Sequence, residues 1–77
     1  MALISEFREA PLANPAWRTE TVCGYRSAVV EGEPILHLET YGSAERAVPG
    51  KGSQFIQIDR ARAEELIRLL RQTFPGL

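Results

Sequence analysis

Alternating apolar and polar side chains predict four strands in this chain. Arg18–Cys23 and Tyr25–Val30 are rich in β-forming residues, and Gly24 between them permits a bend or a bulge. Further along, Ile35–Tyr41 and Gln54–Ile58 alternate with a period of two. The turn-forming residues 31–34 separate the second and third runs, so we expect these two strands to form a hairpin.

Because successive side chains of a strand point to opposite faces, the third and fourth strands can be sorted by parity. One face would be mainly aliphatic, with Leu36, Leu38, Thr40, Ile56 and Ile58. The other would mix aromatic, charged and polar groups, with Ile35, His37, Glu39, Tyr41, Phe55 and Gln57. We expect a helix to cover the aliphatic face and solvent to reach the other.

A helix is expected directly after the fourth strand. Asp59 is a favourable N-cap, and Pro75 followed by Gly76 ends the helical pattern. An apolar stripe follows helical spacing through Ala63, Leu66, Ile67, Leu70 and Phe74. Leu69 and Thr73 widen this stripe, which suggests that part of the helix packs on a second subunit.

Together these elements predict an α+β fold, a four-stranded antiparallel sheet followed by one C-terminal helix (ββββα). Residues 17–77 would form this single domain. Residues 1–16 are expected to be an N-terminal arm, because Pro11 and Pro15 exclude a helix interior or a central strand. One helical turn docked through Leu3, Ile4 and Phe7 is the alternative for the arm.

Composition narrows the class of protein. With 77 residues, one core is only marginally sufficient, and oligomerisation is a common remedy. The single cysteine, Cys23, excludes an internal disulfide, and no Cys and His spacing suggests a metal site. Without a signal-peptide pattern or a long apolar run, we expect a cytoplasmic protein. Nine basic and ten acidic residues give a net charge of -1, which argues against a strongly electrostatic nucleic-acid binder but allows a local basic face.

The sequence contains no strong pattern of catalytic residues. His37 is the one histidine and lies in mid-strand, so a surface or sheet-packing role is favoured over catalysis. Residues 49–53, Pro-Gly-Lys-Gly-Ser, lack the phosphate-loop spacing and are followed by a strand instead of a helix. We therefore expect a protein that is not an enzyme and uses no cofactor.

Residues suited to ligand binding form a more coherent group than the candidate catalytic residues do. The long loop between the third and fourth strands carries Arg46 and Lys51 beside two glycines, and Tyr41 and Phe55 flank it. Trp17, Arg18, Tyr25 and Arg26 come from the first two strands. Aromatic rings that stack on bases, interleaved with cations that follow phosphates, are typical of single-stranded nucleic-acid binding. Alternatively, the rings stiffen cross-strand pairs and the charges are only solvated.

The segment from Ile35 to about Leu70 resembles the positive-cofactor-four family of transcriptional coactivators. The matching pieces are residues 36–41 (Leu-His-Leu-Glu-Thr-Tyr), 49–52 (Pro-Gly-Lys-Gly) and 56–58 (Ile-Gln-Ile), followed by Asp59 and its helix. The resemblance implies a homodimer with the helices at its centre and curved sheets that hold single-stranded DNA. It also implies that Lys51 contacts a phosphate.

The expected function is therefore a non-catalytic module that binds nucleic acid, preferably single-stranded DNA, through Arg26, Tyr41, Arg46, Lys51 and Phe55. The alternative is a homodimeric protein-interaction or regulatory module that uses the same face, or the arm, to bind a protein partner. An enzyme dependent on His37 is a third hypothesis.

Overall fold

In the computed structural model, which describes residues 1–41 and 54–77, four strands are followed by one helix. The elements are β1 (Ala2–Leu3), β2 (Cys23–Val30), β3 (Glu33–Thr40), β4 (Gln54–Ile58) and α1 (Arg60–Thr73). All four strands belong to one sheet with the order β1-β4-β3-β2. The predicted small α+β fold, ββββα, is confirmed.

The hairpin of β2 and β3 is also confirmed. Its two-residue turn consists of Glu31 and Gly32, with φ angles of 51° and 82°. Positive φ at both central positions defines the type I′ turn, whose twist matches that of the flanking strands. The closing pair is Val30 with Glu33, and the register continues without a break to Cys23 opposite Thr40.

The first strand is not where the sequence pattern predicts it. Of the predicted strand Arg18–Cys23, only Cys23 lies in the sheet. Instead, Ala2–Leu3 pairs with β4 in parallel, and the Ile4 amide donates to the Gln57 carbonyl at 3.0 Å. The sheet is therefore mixed, not wholly antiparallel. Strand propensity at residues 18–22 is overridden because strand formation depends on the partner that tertiary structure supplies.

A side-chain contact also joins the N-terminal segment to the helix. The Arg62 guanidinium donates a hydrogen bond to the Ser5 carbonyl, and its Nη2 lies 3.4 Å from the Glu65 carboxylate. The residues that precede Glu6 thus contact both β4 and α1. The sequence analysis expected these residues to belong to an N-terminal arm, whereas in the structure they include an edge strand of the sheet.

The boundaries of α1 follow from its caps. The Asp59 carboxylate accepts a hydrogen bond from the Arg62 amide at 2.9 Å, the arrangement of an N-cap. At the other end, the Phe74 amide donates to the Leu70 carbonyl at 2.9 Å, and Phe74 itself has an extended backbone. Gly76, with φ at 88°, follows where a left-handed residue is needed.

Burial is slight for a protein of this length. Among the described residues only Ile58 is buried, at 3% exposure. The first half of α1 lies along the aliphatic face of the sheet, where a groove runs between Ile67 and Ala63 on one side and Leu36 on the other. Beyond this point Leu70 and Phe74 are exposed. The helix therefore covers the aliphatic face only near its own start.

Candidate nucleic-acid interface

One face of the sheet gathers aromatic, basic and acidic side chains from three strands. We call it the polar aromatic face and define it by Arg26, His37, Glu39, Tyr41 and Phe55. The register puts Arg26 of β2 opposite His37 of β3, and Glu39 opposite Phe55 of β4. The face follows from strand parity, because alternate residues of each strand share a side of the sheet.

His37 and Phe55 form the centre of this face. Their ring centroids are 5.5 Å apart and the ring planes are tilted by 34°. This is a diagonal cross-strand pair, a spacing at which aromatic side chains of neighbouring strands contact each other. Both side chains are only half-buried, so the ring surfaces remain accessible from outside.

Glu39 organises the polar groups around these rings. One of its carboxylate oxygens lies 3.4 Å from Nε2 of His37. The Tyr41 hydroxyl also donates to Glu39, and this hydrogen bond is the main cause that raises the pKa of Tyr41. Desolvation and the charge of Glu39 raise it further, because both disfavour the phenolate. One carboxylate therefore restrains two ring-bearing side chains.

Gly24 makes room for Tyr41. A Cβ atom at position 24 would overlap the Tyr41 hydroxyl oxygen, and the ring carbon Cζ would be 3.1 Å away. Gly24 is thus a member of β2, not the bend expected between two strands. The missing side chain lets the tyrosine ring lie against the backbone of the neighbouring strand.

Three of the five residues expected to bind nucleic acid are brought to this face, namely Arg26, Tyr41 and Phe55. The other two, Arg46 and Lys51, lie outside the described residues. Tyr25, which sequence reasoning grouped with them, is on the opposite face because it neighbours Leu38 in the register. Trp17 is fully exposed and lies in no strand.

Two contributors were missed by sequence reasoning. Glu39 was placed on this face, but its role as acceptor for Tyr41 and neighbour of His37 was not expected. Gly24 was interpreted only as a bend or a bulge. Parity could have suggested the first contact, since residues two apart on one strand share a face. No local signal indicates the second, because Gly24 and Tyr41 meet only through the pairing of β2 with β3.

A metal site and a membrane span find no support within residues 1–41 and 54–77. In this part of the chain, no three His, Cys, Asp or Glu side chains converge in a way that could hold a metal ion. Of the helical segments described, none has the length and apolar character to cross a bilayer.

Comparison with protein-family models, curated proteins and solved structures found no match to this chain.

Proposed function

We propose that the protein is a non-catalytic module that binds single-stranded nucleic acid, preferably DNA, on the polar aromatic face. The observation that carries the proposal is the row formed by Arg26, His37 and Phe55 across β2, β3 and β4. A role in transcription and a cytoplasmic location are part of the proposal and follow from the sequence and its resemblance alone.

The two central rings suit base stacking. The accessible surfaces of His37 and Phe55 could each receive a base, and stacking contributes about 1–3 kcal/mol per base. Sequence-independent binding would follow, since every base presents a π-face. Tyr41 adds a third ring beside β2 and is restrained by Glu39.

The charge on this face is modest. Arg26 is exposed and supplies a cation beside the aromatic row, whereas Glu39 supplies an anion that hydrogen bonds to Tyr41. Arg46 and Lys51 are proposed as further phosphate contacts on the basis of the sequence. With so few cations, stacking should contribute a larger share of the affinity than counterion release does, but the affinity should still fall as the salt concentration rises.

Fluorescence anisotropy with a labelled oligothymidylate at about 50 mM salt tests the proposal. Replacing Phe55 by Leu keeps an apolar side chain of β4 but removes the π-face, so the affinity should fall roughly five- to hundredfold. Arg26→Ala should weaken binding and reduce the slope of log affinity against log salt by about one phosphate contact.

Arg71→Ala serves as the matched control, because Arg71 is an exposed cation in the last turn of α1. It should bind as the unchanged protein does. The proposal is wrong if the oligonucleotide does not bind at low salt, or if Phe55→Leu and Arg26→Ala behave like the control. A duplex of the same sequence should bind more weakly than the single strand.

We propose in addition that the protein is a homodimer. The support is the uncovered apolar surface at the second half of α1, where Ile67, Leu70 and Phe74 are exposed on one stripe. Large exposed apolar patches in small proteins mark interaction surfaces. A second copy that packs on this stripe would bury what the protomer's own sheet leaves open.

A protein-interaction or regulatory module is the second candidate function. The same exposed stripe favours it, since a different protein could take the place of the second copy. Salt distinguishes the two functions. Nucleic-acid binding should weaken between about 50 and 200 mM salt, whereas an apolar protein contact should hardly change.

A further inference from the structure

Within residues 1–41 and 54–77, strand β2 forms one edge of the sheet. In the order β1-β4-β3-β2, no described strand pairs with it on the side away from β3. The strand is eight residues long, and Arg26 is its one charged residue. Tyr25 and Val29 are 80% and 71% exposed. Soluble proteins usually block such an edge with proline, lysine or a bulge, and none of these occurs in β2.

The hairpin geometry identifies which backbone groups of β2 are free to pair outward. A two-residue type I′ turn is closed by a hydrogen-bonded pair, here Val30 with Glu33. Hydrogen-bonded and non-hydrogen-bonded pairs alternate along an antiparallel ladder. The amides and carbonyls of Val29, Ser27 and Tyr25 therefore point away from β3, toward the open edge.

These outward groups are self-complementary. If two β2 strands meet antiparallel about a twofold axis at Ser27, Tyr25 lies opposite the partner's Val29, and the reverse pair forms by symmetry. All of these residues have their backbone groups directed outward, so a continuous ladder of hydrogen bonds results. An aromatic residue opposite a β-branched one is also a favourable cross-strand pair.

Charge favours this register over the one centred on position 26. Residues that lie opposite each other in the two copies must be on the same face of the joined sheet. The twofold axis can therefore pass through a residue but not between two residues. An axis at position 26 would place two Arg26 side chains directly opposite each other, which is unfavourable. With the axis at Ser27, Arg26 lies opposite the partner's Ala28 instead.

We infer that two copies of this chain pair through the edges of β2, centred on Ser27, and form one continuous eight-stranded sheet. The inference rests on the proposal of a homodimer and adds the β2 edge to the α1 stripe as a second contact between the two copies. It places both polar aromatic faces on the same side of the sheet, with the Cα atoms of the two Arg26 residues about 7–8 Å apart on the diagonal. The dimer would thus present a longer surface than either copy does.

Cysteine cross-linking tests this register. In a Cys23→Ser background, Ser27→Cys places the new thiol on the twofold axis. Opposite Cα atoms in a hydrogen-bonded pair are about 5.5 Å apart, which is within disulfide range. Mild oxidation of the protein should convert most of it to a covalent dimer.

Tyr25→Cys in the same background is the matched control. The two cysteines at position 25 would be displaced from each other by four residues, about 13 Å along the strand, so no cross-link should form. The unchanged protein should likewise resist cross-linking through Cys23, which would be about 27 Å from the partner's Cys23.

The outcomes separate the two proposals. A monomer by analytical ultracentrifugation at all accessible concentrations overturns both. A dimer in which position 27 does not cross-link, or position 25 cross-links equally well, overturns the β2 pairing and leaves the homodimer through α1.

A charge exchange gives an independent measurement. Tyr25→Lys with Val29→Lys creates like-charge pairs across the axis, so the dimer dissociation constant should rise roughly tenfold or more. Tyr25→Lys with Val29→Glu creates opposite-charge pairs in this register and should restore association. Circular dichroism checks that both variants fold, as expected for side chains this exposed. Equal association of the two variants would overturn the proposed register.

Discussion

At the scale of single residues, Gly24 and Glu39 together restrain the ring of Tyr41. Gly24 has no side chain where the tyrosine ring lies, and Glu39 accepts the hydrogen bond of the phenol. No sequence motif marks any of these residues, yet their contacts restrain an aromatic ring on an open sheet. A side chain that is already restrained loses less conformational entropy when a ligand binds, so the entropic cost of binding is smaller.

The hydrogen bond to Glu39 predicts how Tyr41 titrates. In a Tyr25→Phe background Tyr41 is the one tyrosine left, so near-ultraviolet absorbance follows its ionisation alone. The pKa of Tyr41 should lie above the usual value of about 10. Glu39→Gln removes both the charge and the strong acceptor, so the pKa should move back toward that value.

The linked effect on stability has a definite sign. Because the pKa of Tyr41 is raised in the folded state, this interaction stabilises the fold fully below pH about 10. The stabilisation is lost as the pH rises through the folded-state pKa. Identical titration curves for Tyr41 with and without the Glu39→Gln substitution would contradict the assigned hydrogen bond.

At the scale of elements, helix α1 depends on its cap more than most helices do. Few of its side chains are covered by the sheet, so tertiary packing contributes less than usual. The local terms therefore gain importance, above all the hydrogen bond from the Arg62 amide to Asp59. Asp59 also joins β4 to α1 directly, and its conformation sets where the helix leaves the sheet.

Removal of this cap should destabilise the protein measurably. We expect Asp59→Ala to lower the free energy of unfolding by about 1 kcal/mol, within a range of roughly 0.5–2 kcal/mol. For a domain of this size, about 1 kcal/mol corresponds to a melting temperature lower by about 4–8 °C. Asp59→Ser retains a capping oxygen and is the control, which should stay close to the unchanged protein. Equal losses in both variants would show that the cap is not the cause.

At the scale of the whole molecule, the described part of the protomer leaves large apolar side chains exposed. Leu12 and Trp17 are exposed before β2, and Ile67, Leu70 and Phe74 are exposed on the stripe of α1. Burial of such side chains by a second copy would remove apolar surface from water and stabilise the folded protomer.

Stability should therefore depend on protein concentration. If folding and association are linked, the melting temperature rises with concentration by mass action, as a calorimetric series over a wide concentration range would show. Ile67→Glu places a charge on the apolar stripe of α1 and should weaken this dependence. Ala61→Glu adds the same charge at an exposed position outside the stripe and should preserve it. A melting temperature independent of concentration would contradict the homodimer.

The sequence alone determined those features that depend on neighbours along the chain. The turn at Glu31 and Gly32, the cap at Asp59 and the two faces of β3 and β4 all follow from residue type and periodicity over a few positions. For the same reason, the common face of Arg26 and Phe55 could be anticipated once the hairpin was placed.

Only the tertiary structure decided the features that join distant segments. Ala2–Leu3 carries no strong strand signal, yet it pairs with β4 because that edge offers free backbone groups. The contact of Tyr41 with Gly24, and the exposure of Phe74 beyond the sheet, likewise depend on how elements meet in space. Periodicity states which side chains share a face, but the packing of the elements decides what covers it.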